Sequence, residues 1–133
     1  MSSSPNLDFV RSIVAGWERG DFGSVRWAAA EIELVVADGP EPVDIRGLRA
    51  TLEYWRKRPD SWRGSRLVGD GYRELNEERV LVIVHANGGR DGVELAHHGG
   101  GGAVVFTVRA GEVTRLGAYF DRERAFADLG LSE

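Results

Sequence analysis

The stretch 103–127, AVVFTVRAGEVTRLGAYFDRERAFA, decides how this chain is read. Val104, Phe106 and Val108 alternate with Ala103, Val105 and Thr107, the period-2 pattern of a strand with two distinct faces. Arg109-Ala110-Gly111-Glu112 supplies a tight turn. Val113 to Phe120 then returns with Leu116, Ala118 and Phe120 on one side and Arg115, Gly117 and Tyr119 on the other. Asp121 follows at once, placed either to cap a closing helix from Arg122 to Leu129 or to stand at the mouth of whatever the sheet encloses.

Upstream of this hairpin the texture is strand-rich. Ser65 to Leu75, Arg79 to Asn87 and a long, glycine-interrupted run from Val93 precede it, separated by Asn76-Glu77-Glu78 and by Gly88 to Gly92. Val80 to Val84 is apolar at every position, so that strand is expected to be covered on both faces, by helices on one and by a second subunit on the other. The first third is helical. Ser4-Pro5 opens a helix whose Leu7, Val10, Val14 and Trp17 form one stripe, ending at Gly20. Asp21 can cap a short second helix carrying Phe22, Val25 and Trp27, which the Ala28-Ala29-Ala30 run ends. Ile32 to Val36 is a first strand, left through Asp38-Gly39-Pro40. Gly47 to Arg58 is a third helix, stopped by Pro59. The plan is α+β: three N-terminal helices with one short strand, then a four-strand antiparallel meander and a short C-terminal helix, with the helices on one face of a curved sheet.

At 133 residues the chain is expected to be a single domain, flexible only over residues 1–5. Its net charge of −4 offers no basic field for a polyphosphate, so neither nucleic acid nor a membrane surface is an expected partner. It contains no cysteine, which removes disulfides, thiol nucleophiles and cysteine-ligated metals. No apolar run approaches the ~20 residues of a membrane span, and Met1-Ser-Ser-Ser-Pro lacks the features of a secretory signal, so a cytoplasmic location is expected.

Three segments carry a family resemblance over nearly the whole chain: Trp17-Glu18-Arg19-Gly20-Asp21, Arg46-Gly47, and Val105 to Val113 leading to Tyr119-Phe120-Asp121-Arg122. They resemble the nuclear-transport-factor-2-like superfamily, in its SnoaL-like polyketide-cyclase branch. The resemblance implies a cone-shaped mixed or antiparallel sheet, a pocket between the helices and its concave face, and a homodimer through the convex face. Function varies widely on such a fold. The ketosteroid isomerase arrangement does not carry over. Its helical tyrosine falls on Ile13, its second acid on Ala103, and its base on Ala37 or, with one gap, on Asp38. The acid/base aspartate of the cyclase branch matches Asp121.

Each candidate residue has a structural alternative. Asp121 could be a general acid/base if an apolar wall raised its pKa, or the N-cap of the last helix. Asp38 fits a pocket rim or an ordinary Asp-Gly-Pro turn. His85, which alternates with Leu81 and Ile83, could serve as a base or orient a carbonyl, or be a satisfied or interface histidine. His97 and His98 cannot converge on one ion from adjacent strand positions, and the glycines at 99–102 lack the Gly-Lys-Ser/Thr of a phosphate loop. The aromatic residues are abundant enough to be core or ligand platform. Under the resemblance, Trp17, Tyr54, Trp55, Leu116 and Phe120 would line the pocket. The expectation is thus a pocket for a hydrophobic small molecule, with Asp121, His85 and Asp38 as the acid/base candidates for a cyclase or isomerase needing no metal or organic cofactor. A non-catalytic binding module and a dimeric scaffold with a self-filled pocket stand as alternatives.

Overall fold

The computed structural model describes residues 5–19, 26–37, 43–56, 65–88, 102–119 and 121–131. The elements run α1 (Pro5–Glu18), β1 (Ala28–Val36), β2 (Val43–Arg46), α2 (Leu48–Arg56), β3 (Ser65–Glu74), β4 (Arg79–Gly88), β5 (Gly102–Arg109), β6 (Glu112–Tyr119) and α3 (Arg122–Leu129). The strands form one sheet in the order β2-β1-β6-β5-β4-β3. β1 and β6 are parallel and every other pair is antiparallel, so the sheet is mixed.

The β5–β6 hairpin forms as its alternation predicts. Ala110 and Gly111 have φ of +52° and +75°, the two positive values of a type I′ turn, whose twist matches that of the flanking strands. A bulge between Thr107 and Val108 shifts the parity, so Val113 and Leu116 face the same side despite their spacing.

That side is the one covered by α1 and α2. α1 buries Val10, Ile13, Val14 and Trp17, the i, i+3, i+4, i+7 stripe of an amphipathic helix, against Val82, Phe106 and Leu116. It lies close over β3 because Gly69 has no side chain: a Cβ there would stand 3.1 Å from Val14 Cγ1 and 2.5 Å from the Tyr72 hydroxyl. Gly69 also begins the β3 bulge, and its N–H donates to Glu18 Oε2 at 3.0 Å. α2 is tied in at Gly47, whose N–H donates to Ile32 O at 2.8 Å and whose carbonyl accepts from Thr51.

The opposite side of the sheet is covered by α3, not by α1 or α2. Ala125 is fully buried against Leu81, Ala103 and Val105, with Phe126 and Leu129 beside it. The expectation that the helices share one face is therefore corrected. The second cover over β4 comes from the chain's own C-terminal helix, which meets the apolar back of Leu81 and Val105 without a second subunit. Gly130, at φ +69°, ends α3 in the left-handed conformation, and Leu131 N–H donates back to Phe126 O at 2.8 Å.

Two other expectations are corrected. Ala28 to Ala30 is strand, because Ala28 pairs with Val113 on β6 and its small side chain fits the buried position there; tertiary pairing overrides the helix preference of alanine. β2 was not foreseen, since its four residues pair only along the β1 edge. Trp27 stands in the turn before β1; the rest of the proposed second helix, residues 21–25, lies outside the described residues, as do Ser4 and residues 93–101 of the long strand.

Ala110 carries a side chain in the left-handed region that glycine or asparagine occupies more cheaply. Ala110→Gly is expected to stabilise the protein by up to about 1 kcal/mol, read as a higher urea midpoint at unchanged m-value.

Candidate functional site

The helix face of the sheet gathers the large rings. Trp17 is 5% exposed. Its ring stacks on Phe106 at a centroid distance of 5.4 Å and meets Trp27 edge-on at 6.1 Å, geometries that add about 0.5–1.5 kcal/mol per pair beyond burial. Tyr54 on α2 is half-buried against the same cluster, and Leu116 is buried within it. Of the five residues expected to line a pocket, the fold thus brings Trp17, Tyr54 and Leu116 to one cluster. Phe120 and the side chain of Trp55 lie outside the described residues.

A polar group borders these rings where α1 ends over the β3 bulge. The Tyr72 hydroxyl and the Glu18 carboxylate both stand at Gly69, and the Arg11 guanidinium lies 5.0 Å from the centre of the Tyr72 ring. Burial raises the Tyr72 pKa above its ordinary value, Glu18 adds to the rise and Arg11 opposes it. Tyr72 therefore stays a neutral hydrogen-bond donor throughout the physiological range. Sequence reasoning placed Tyr72 among the aromatic residues but did not connect it with Glu18 and Arg11. The connecting signal is Gly69-Asp70-Gly71, a strand interior with two glycines, which marks a bulge and a close approach.

Asp121 caps α3. Its backbone is extended (φ −109°, ψ 114°), its Oδ1 accepts from Glu123 N–H at 2.9 Å, and the residue is exposed. Glu123 in the first turn adds a favourable charge at the helix N-terminus. His85 lies on the other side of the sheet from Trp17, in line with Leu81 and Ile83, and its Nδ1 is 2.7 Å from Oδ2 of Asp70, the extra residue of the β3 bulge. The histidine and the aromatic cluster are therefore separated by the sheet itself. Ile13 and Ala103, where the resemblance places the isomerase tyrosine and second acid, are both buried, Ile13 on the inner face of α1 and Ala103 under α3. Asp38, His97 and His98 lie outside the described residues. Among the described residues no three acids or histidines group so as to hold a metal ion.

Removing the cap is expected to cost about 0.5–2 kcal/mol in Asp121→Ala, whereas Asp121→Asn, which still accepts from Glu123 N–H, stays within a few tenths of the parent in urea denaturation.

No protein-family model and no curated protein matches the sequence. Solved structures do match. TerC co-crystallised with polyporic acid superposes with a TM-score of 0.69 at 23% identity, covering 95% of this chain and 98% of that one. A presumed ketosteroid isomerase from Kribbella flavida matches at a TM-score of 0.61 and 15% identity, over 85% of this chain and 75% of that one. A presumed polyketide cyclase from Xanthomonas campestris pv. campestris matches at 0.58 and 19%, over 92% and 94%. A nuclear-transport-factor-2-like protein from Burkholderia pseudomallei matches at 0.62 and 19%, over 94% and 97%.

Proposed function

Because the chain has the nuclear-transport-factor-2-like fold, we propose that it is a SnoaL-like pocket protein holding a flat, hydrophobic carbonyl compound between α1 and the sheet. The observation that carries this reading is the cluster of Trp17, Trp27 and Phe106, packed ring to ring on the helix-covered side, whose faces and edges a flat compound would meet on parting them. Such surfaces suit planar apolar ligands, which need few polar contacts for orientation. Tyr72 as donor and Glu18 as acceptor stand together at the β3 bulge, suited to a carbonyl oxygen and a hydroxyl respectively. The polyporic acid in TerC supports the same ligand class.

A second reading adds turnover: cyclase or isomerase chemistry without a cofactor. Asp121 would take a proton from the carbon beside the carbonyl and return it to another carbon or to oxygen. It is favoured by the match of Asp121, just past the end of β6, to the cyclase-branch aspartate. His85, paired with Asp70, could assist only from the opposite side of the sheet, and Asp38 lies outside the described residues. A homodimer through the convex sheet face belongs to the same proposal.

Native mass spectrometry of protein purified from its own host tests both readings. The expected result is a retained apolar compound, lost more readily from Trp17→Phe than from the parent while cooperative unfolding is kept. Retention that is absent, or indifferent to Trp17, overturns the pocket reading. Once a substrate is found, an Asp121→Asn variant that binds it but no longer turns it over supports the catalytic reading, and full turnover removes it.

A further inference from the structure

The sheet face opposite α1 carries a row of charge that crosses five strands. Arg46, Glu33, Arg115, Thr107 and Arg79 are successive register partners from β2 through β1, β6 and β5 to β4. Two of the three arginines share one carboxylate: Glu33 reaches Arg46 at 3.9 Å and Arg115 at 3.5 Å. Arg79, half-buried at the other end, makes no ion pair among the described residues. Arg115 and Arg79 thus flank Thr107 from the two neighbouring strands, and of these two only Arg115 is reached by Glu33.

The row borders a hollow of about 60 Å³ beside α3. Arg79, Thr107, Arg115 and Tyr119, whose side chain hydrogen-bonds the Asp128 carboxylate, form its polar side, and Val35, Val105 and Gly117 its floor. With strands ~4.8 Å apart, the two arginines start about 10 Å from each other, a span that two guanidinium arms can close over the threonine hydroxyl. Gly117 makes the space. Its register with Val35 and Val105 is regular, and a Cβ there would meet only Val105 Cβ, at an ordinary 3.9 Å. No turn, bulge or clash requires glycine at that position, and glycine inside a strand costs stability; what it provides is open room against the backbone. The volume is several times what one water needs.

We propose that this hollow is a second ligand site, for a small organic carboxylate. The carboxylate bridges Arg79 and Arg115 above Thr107 in charge-assisted hydrogen bonds, and the apolar body lies flat on Gly117, Val35 and Val105. The floor selects an organic acid over an inorganic anion. The site is independent of the aromatic cluster, from which the sheet separates it.

The test is calorimetric titration of the full chain with benzoate, acetate, benzamide and inorganic phosphate at constant ionic strength. Saturable benzoate binding is expected, with acetate and phosphate, which lack the apolar body that covers the floor, at least about tenfold weaker, and benzamide, which lacks the charge, silent. Arg79→Gln and Arg115→Gln should each weaken benzoate by about tenfold or more, and Gly117→Val should weaken it by filling the floor, all with cooperative unfolding retained. Heat that does not saturate, phosphate binding as tightly as benzoate, or benzoate affinity unchanged in Arg79→Gln and Gly117→Val would overturn the proposal. The last result would place benzoate among the aromatic residues instead, leaving the pocket reading intact.

Discussion

β4 and β5 are buried on both faces, and this double burial is the constraint on which the rest of the structure depends. Val80, Val82 and Phe106 lie under α1, while Leu81, Ala103 and Val105 lie under α3, each at most 8% exposed. A strand pair apolar on both sides is stable in water only if two separate covers reach it. The chain supplies one from its beginning and one from its end. α3 can serve as the second because it is stopped at both ends, by Asp121 before its first turn and by Gly130 after its last, so its single fully buried residue, Ala125, sits over the strands.

Two chemically different faces follow. Under α1 and α2 the sheet presents rings and aliphatic side chains, with one polar group of Arg11, Glu18 and Tyr72 at the β3 bulge. Beyond α3 the opposite face is a mosaic: arginines held by few acids, small residues and a glycine. The first environment suits a ligand recognised by shape and apolar area. The second suits one recognised by charge. His85 and Asp70 belong to the second environment, so the imidazole is a feature of the outer face, held by an exposed pair of the kind that contributes at most about 1 kcal/mol.

The hairpin, the stripe on α1 and the all-apolar run in β4 were legible because each is a periodicity, and periodicity survives without knowledge of the partner. Which cover lies on which side was not legible. Alternation groups His85 with Leu81 and Ile83, but nothing local says that α1 lies on the Val80 side and α3 on the other. β2 escaped for a related reason: Val43 to Arg46 is too short to carry a pattern and exists only through its register with Glu33 to Val36. The arginine row is the extreme case. Its five members are scattered from Glu33 to Arg115 and become neighbours only once the strand order is known. Asp121 could be read both ways because capping and proton transfer ask for the same group at the same place in the chain.

The parallel pairing of β1 with β6 joins Ala28 to Val113, residues 85 apart in sequence (113 − 28), whereas β3, β4, β5 and β6 are linked to their sequence neighbours. Local pairings are entropically cheap to close and distant ones are not. The meander can therefore organise early, and the segment from α1 to α2 must then dock along β6 to complete the sheet. The helix-covered face exists only after that docking. Its assembly rests on the longest-range strand pairing in the fold, so the ring-lined side is the part of the molecule with least kinetic autonomy, and a bound ligand there would act on folding as a clasp between the two halves of the chain.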